Sequence, residues 1–327
     1  MVKPGKILIT GAAGFVGVAL CRHLKRRKLP FRAVVRQGGT SLPADLQADL
    51  VDVVAVPESA KAELWAGLLT GVEVVIHLAA RAHRSESGSL AGDRFFRDNL
   101  DMTCALAQGA VRAGVRRFIF LSSIKVNGEG VLAPGHRAYS ARDRPRPEDA
   151  YAVSKWRAEQ ELERICAFAK GPKLTIIRSP LVYGPGVKAN FATLLAWLDR
   201  GWPLPVPRAG NRRSLLYIDN LIDLIDYSLL HEQTDGALLF PADEQDYSTA
   251  EIATLLARGL GRPLRLCPLP SSLVKFGAAL LRRPQSAAKI FGSLQVDRSS
   301  VAGLGRQVPQ RAKSGLAETA AWWRQVK

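Results

Sequence analysis

Tyr151 and Lys155 stand one helical turn apart in the stretch Tyr151-Ala-Val-Ser-Lys155. The approach signals a helix start, with Pro145 and Pro147 followed by Glu148-Asp149 at the cap position. On a helix this spacing puts both side chains on one face. A free tyrosine ionises near pH ~10 and is a poor acid or base at neutrality. An ammonium fixed one turn away stabilises the phenolate and lowers that pKa. Tyr151 could then pass a proton to or from a sugar or alcohol oxygen. An amphipathic helix with an exposed lysine is the competing account, and the weight of the pair comes from what lies upstream.

The apolar run Lys6–Thr10 predicts a strand. It is followed by Gly11-Ala-Ala-Gly14-Phe15-Val16-Gly17 and a helical pattern over Val18–Arg27. Glycines at this spacing between a strand and a helix form a phosphate-cradling turn, with a tight bend, close backbone approach and a helix N-terminus facing the anion. The spacing differs from the usual G-x-G-x-x-G. Phe31–Val35 predicts the second strand, ending in Arg36. Roughly 20 residues past such a turn, an acidic residue suits the ribose hydroxyls of NAD and an arginine the extra phosphate of NADP. Arg36 therefore favours NADP(H), with NAD(H) possible; a solvated strand-end arginine is the competing account. Val51–Val56 predicts a third strand. Val72–Leu78 is a continuous apolar run of buried parallel-strand type, and it delivers His77-Leu78-Ala79-Ala80 to the cofactor edge, where small residues leave room for the dinucleotide.

Farther along, a helix is predicted over Asp93–Ala113, containing Asn99, and strands over Arg117–Leu121 and Leu174–Ile177. This alternation predicts an α/β fold, a Rossmann-type doubly wound parallel sheet. From Arg178 onward the pattern is less regular and richer in proline. Helices are expected at Phe191–Arg200, Asn220–Leu230 and near Thr249–Leu260, with strands at Leu215–Ile218 and Ala237–Phe240. The chain thus divides into a dinucleotide-binding domain over 1–180 and a smaller C-terminal substrate-binding domain over 181–327, some segments of which return to the sheet.

The 327 residues, 47% hydrophobic and 23% charged, have the balance of a soluble globular enzyme. Cys21, Cys104, Cys166 and Cys267 are far apart and the five histidines form no ligand pattern, so no metal and a reduced, cytoplasmic protein are expected. No leader is expected ahead of Lys6, and no apolar run approaches the ~20 residues needed to span a bilayer. Forty-six Lys+Arg against 29 Asp+Glu give a net charge of +17, which suggests a phosphate-bearing partner. The basic residues are dispersed and carry no nucleic-acid motif, so a nucleotide-diphosphate ranks above nucleic acid.

Taken together, Thr10-Gly-x-x-Gly-x-x-Gly17, His77-Leu-Ala-Ala80, Asn99, Ser122-Ser123, Tyr151-x-x-x-Lys155 and Arg178 through Gly186 resemble the extended short-chain dehydrogenase/reductases. The resemblance is to their nucleotide-sugar epimerases, dehydratases and reductases, and it covers nearly the whole chain. It implies that Ser123 hydrogen-bonds the reacting oxygen, Ser122 being a backbone cap. Tyr151 would be the acid/base, and Lys155 would hold the nicotinamide ribose while depressing the tyrosine pKa. Gly11, Gly14, Phe15, Val16, Gly17, Arg36, Leu78, Ala79, Ala80 and Asn99 would border the cofactor, Asn99 having an equal claim to a structural role. Asn190 and Arg213 resemble diphosphate contacts, since arginine can grip phosphate through two hydrogen bonds. Lys125 and Arg178 join them as substrate candidates, Lys188 is a weaker one, and Arg282 or Arg283 offers a further arginine.

By the same likeness, Ile124-Lys125 stands where sugar 4,6-dehydratases carry Asp-Glu, and the glutamate of decarboxylating relatives is missing. Hydride transfer at C4 remains. The resemblance to a bacterial subgroup with lipopolysaccharide roles, together with Arg36, implies reduction of a UDP-4-keto-6-deoxy-N-acetylhexosamine with NADPH. The alternative is an NAD-retaining UDP-glucose or UDP-N-acetylglucosamine 4-epimerase. A homodimer is expected through the helices at Asp93–Ala113 and Tyr151–Lys170, where Trp156, Leu162 and Ile165 recur at helical spacing; burial within one subunit is the competing account. A catalytically silent nucleotide or RNA binder is the reading from another class, with the charge in its favour and the intact Ser123, Tyr151 and Lys155 against it.

Overall fold

In the computed structural model, residues 5–47, 51–81, 94–130, 137–168, 171–207, 210–270, 292–306 and 309–327 are described. Arg282 and Arg283 lie outside them. The chain forms two compact units. The first comprises Met1–Val126, Pro145–Arg178 and Ile222–Leu239, and the second Asn127–Arg144, Ser179–Leu221 and Phe240–Lys327.

The first unit is built on a seven-stranded sheet in the order β10-β6-β5-β4-β1-β2-β3. Its strands are β1 (Lys6–Thr10), β2 (Phe31–Arg36), β3 (Val51–Val56), β4 (Val72–His77), β5 (Arg117–Ser123), β6 (Lys173–Ser179) and β10 (Leu238–Leu239). β1 pairs in parallel with β2 on one side and β4 on the other. The chain therefore reverses its order of addition at β1, and the crevice beyond the carboxyl ends of β1 and β4 is where such sheets bind ligands. Ile7, Leu8, Ile9, Val74, Val75 and Ile76 are wholly buried, as expected for central strands covered on both faces.

Helices α1 (Phe15–Arg26), α2 (Ala62–Leu68), α3 (Met102–Ala113) and α4 (Ala150–Cys166) belong to this unit. Ahead of α3, Arg97–Asp101 forms a π-type turn that buries Asp98 and Asn99. The core joins Leu8, Val75 and Phe118 of the sheet to Leu106 of α3 and Leu162 of α4. Leu162 and Ile165 are both part of it. Of the three apolar residues proposed for a dimer face, then, only Trp156 lies outside this core, half-buried, with the Arg157 guanidinium 5.8 Å from its ring centroid. Arg117, at the start of β5, binds Asp235 at 2.8 Å and the Leu229 carbonyl at 2.9 Å. That partly buried pair fastens the returning segment 222–239 to the sheet.

In the second unit, β7 (Leu181–Tyr183) pairs in parallel with β9 (Leu215–Tyr217), and β8 (Leu204–Pro207) with β11 (Leu266–Leu269). Its helices include α5 (Ala189–Asp199), α7 (Thr249–Leu260) and α9 (Ala312–Gln325); α6 (Ile218–Leu230) runs from it into the first unit, and α8 (Ser299–Ala302) is a single turn. Ser248 caps α7 in a reciprocal box with Glu251. Asp243 is wholly buried and accepts from the Tyr217 amide, the Asn220 side chain and the Tyr183 hydroxyl. Among the described residues no helix is long and apolar enough to cross a membrane.

Candidate active site

The glycine turn has no room for side chains. Gly11 adopts φ +70°, and a Cβ there would meet the Ala79 amide nitrogen at 2.7 Å. A Cβ on Gly17 would lie 2.1 Å from the Gly11 carbonyl oxygen, so α1 packs directly on the turn. Gly14 caps α1 without a side-chain bond, and the first turn holds no acidic residue. The amides of Phe15 and Val16 thus open a helix N-terminus suited to an anion. These residues fit a dinucleotide pyrophosphate.

Thr10, His77, Thr103, Asn99 and Ser154 form one hydrogen-bonded chain from the end of β1 to α4. The Thr103 hydroxyl donates to the Asn99 carbonyl at 2.6 Å, so it must accept from His77 Nε2 at 2.7 Å. His77 Nδ1 is left as the acceptor for the Thr10 hydroxyl at 2.5 Å. Burial, followed by the Lys155 charge, pushes the imidazole down to about 3, so the ring is neutral and its tautomer is fixed. Asn99 accepts the Arg81 amide at 2.7 Å and donates to Ser154 Oγ at 2.9 Å; Ser154 in turn donates to the Tyr151 carbonyl at 2.8 Å. Asn99 therefore orients the chain after β4 and the first turn of α4, a positioning role.

Asp149 caps α4, accepting from the Ala152 amide at 2.8 Å, and the helix presents Tyr151 and Lys155 as its sequence predicts. Ser123, at the end of β5, reaches the Tyr151 phenol, a contact that favours the ionised form. Burial pushes the phenol above its ordinary value, while Lys125 and Ser123 pull against it and Asp149 adds to it. Lys125, read from the sequence as a substrate candidate, is thus a cation that favours the Tyr151 phenolate. The Lys155 ammonium is buried, 4.0 Å from the Phe120 ring centroid. Burial pushes it down to about 7, against the opposing pull of the Glu159 carboxylate one turn on.

Glu159 is itself buried and bound by Arg178, with Nε 3.1 Å and Nη2 2.5 Å from the carboxylate, and it accepts the Ser122 hydroxyl. Arg178 was expected at the substrate. Its guanidinium is instead the counter-ion of Glu159 inside the first unit. Ser122 is thereby more than a backbone cap: it ties the end of β5 to α4 next to Ser123.

The sequence model of the NAD dependent epimerase/dehydratase family matches residues 7–238. The chain belongs to this family. A UDP-glucose 4-epimerase of Vibrio cholerae is 37% identical over 320 residues, covering 97% of this chain and 95% of its own. A dTDP-4-dehydro-6-deoxy-D-allose reductase of Streptomyces bikiniensis is 27% identical over 332 residues, covering 97% and 96%. The structure of MoeE5 in complex with UDP-glucose and NAD superposes with a TM-score of 0.77 at 24% identity, covering 98% of this chain and 99% of that one.

Within this epimerase/dehydratase member, the remaining expected residues are placed as follows. Leu78 and Ala79 are half-buried and Ala80 exposed at the end of β4. Arg36, exposed at the end of β2, lies between two carboxylates, 2.6 Å from Glu58 and 3.4 Å from the buried Asp98. Lys125 binds Asp149 at 2.8 Å. Asn190 is exposed in the first turn of α5, with Lys188 exposed at its cap. Arg213 is half-buried, donates to the Gly292 carbonyl at 2.9 Å and feels the Glu129 charge. Thr103, Ser154 and Glu159 were missed as site residues, and Thr10 entered only as the head of the glycine motif. Only Glu159 carried a signal, one turn beyond Lys155 on the same helical face.

Proposed function

We propose that the protein is a UDP-hexose 4-epimerase that retains a nicotinamide dinucleotide through turnover. The observation that carries this reading is the 37% identity to a UDP-glucose 4-epimerase across 97% of the chain. The grouping of Ser123, Tyr151 and Lys155 in the first unit supports it. The glycine turn would hold the pyrophosphate and Lys155 the ribose hydroxyls. When bound, the nicotinamide supplies a hydride acceptor and donor for C4. Ser123 and Tyr151 address the sugar O4: Tyr151 removes its proton as the alcohol becomes a ketone, Ser123 fixes the oxygen, and Tyr151 returns the proton when the opposite face has been presented. Asn190 and Arg213 would grip the diphosphate, remote binding that orients the sugar.

Arg36 and the reductase relative favour a second reading, net reduction of a UDP-4-keto sugar by NADPH. The two carboxylates beside Arg36 weigh against an added phosphate there. The purified protein decides between them. An epimerase yields NAD on extraction and interconverts UDP-glucose or UDP-N-acetylglucosamine with the 4-epimer, without net oxidation of added cofactor. Stoichiometric NADPH consumption with a UDP-4-keto sugar, and no epimer, would reverse the assignment. Tyr151→Phe keeps the ring and removes the proton, so turnover should fall roughly 10²-fold or more while cofactor affinity survives.

A further inference from the structure

Lys125 follows β5 in the single turn Ile124–Val126, and its ammonium stands 5.9 Å from the Tyr151 ring centroid. It is held there by Asp149 Oδ2 at 2.8 Å, while Asp149 Oδ1 accepts the Ala152 amide at 2.8 Å. One carboxylate thus closes the N-terminus of α4 and latches a cation beside that helix's own tyrosine. The aspartate charge leans on the positive end of the helix, so it does not simply cancel the ammonium. Among the described residues, the Ser123 hydroxyl and the Phe95 ring, its centroid 6.3 Å from that of Tyr151, also face the phenol. Lys155, one turn along, lies over the Phe120 ring.

We propose that Lys125, latched by Asp149, is a positioning residue for proton transfer at Tyr151, its ammonium holding negative charge on that side chain. The proposal rests on the reading of Tyr151 as the acid/base. A cation within ~6 Å of an aromatic centroid is attracted to the ring, and the attraction grows once the phenol carries a full charge in a partly desolvated site. Lys125 is then part of the proton machinery rather than a diphosphate contact.

Tyr151 titration can be read without turnover, as the ultraviolet phenolate difference between the protein and its Tyr151→Phe variant, which cancels the other five of six tyrosines. Lys125→Met should move that titration up by about one pH unit, a tenfold loss of phenolate at fixed pH, and Lys125→Arg should restore it. Lys125→Gln serves if the methionine variant does not fold. In turnover, the acid limb of kcat/KM should move up by the same amount with KM for the UDP-sugar little changed. A Tyr151 titration that coincides in Lys125→Met and the unaltered protein overturns the proposal, as does a rise in KM without a shifted limb, which would make Lys125 a substrate contact. A shifted titration in a protein that epimerises no UDP-hexose would sink the proposed function and leave the role of Lys125 standing.

Discussion

At the scale of single residues, the site is governed by how its buried charges are matched. Lys155 is pushed down to about 7 in the fold, against an ordinary lysine value near ~10.4. Over that interval the unfolded chain binds the extra proton, so stability should rise with pH from about 7 upward, and below it the buried ammonium carries its full desolvation cost. Lys155→Met should therefore melt higher than the unaltered protein, by a margin largest below neutral pH and fading in alkali, while dinucleotide affinity falls. Calorimetry across pH and a fluorescence titration with NAD measure the two effects; a variant that melts lower at every pH would contradict them. Glu159 and Arg178 differ from Lys155 because each has its counter-ion. Removing one partner of such a pair leaves the other buried and uncompensated, so Arg178, at the end of β6, stays buried on the Glu159 carboxylate.

Elements show what a sequence makes legible and what it does not. The strand, glycine turn and helix over residues 6–26 are written locally, in an apolar run, glycines and a periodic stripe. Gly17→Ala tests that reading: the added Cβ meets backbone, with the Gly11 oxygen at 2.1 Å, and backbone cannot swing aside as a side chain can. Thermal melts should record a loss of roughly 1–3 kcal/mol, and NAD titration a weakened dinucleotide; unchanged affinity would exclude the turn as the pyrophosphate cradle. The helix bearing Tyr151 and Lys155 was equally readable, down to Asp149 as its cap. The partners of Lys125 and Arg178 were not, because which carboxylate meets which cation depends on how β5, α4 and β6 come together. The same holds for β7, β8 and β11, whose short sequences are defined by long-range pairing.

At the scale of the whole molecule, the first unit collects three separate stretches of chain, and the second is pinned through Asp243. Burial pushes that carboxyl up to about 6, although Tyr217, Asn220 and Tyr183 donate to it. The native state holds its proton longer than the unfolded chain, whose aspartates ionise near ~3.9, so this group makes stability fall as pH rises from about 4 to 6. Asp243→Asn can keep the Tyr217 and Asn220 bonds on its oxygen, while the Tyr183 hydroxyl turns its proton to the Ala312 carbonyl, already 3.2 Å away. Melts of the variant and the unaltered protein should therefore agree more closely near pH 4, with the variant gaining through pH 6 and holding that gain above it. A difference that does not change with pH would show that the carboxyl ionises normally.

The chain of hydrogen bonds from Thr10 to the Tyr151 carbonyl bears on recombination. Every hydroxyl in it gives its single proton in one direction, and the neutral His77 fixes that direction at both ring nitrogens. The glycine turn and the helix that bears Tyr151 are accordingly not interchangeable parts. A chimera that takes β1 and its turn from a relative would inherit an orientation at position 10 that positions 77, 103, 99 and 154 must share. Such grafts should succeed when the five positions travel as a block and fail when the crossover falls between them.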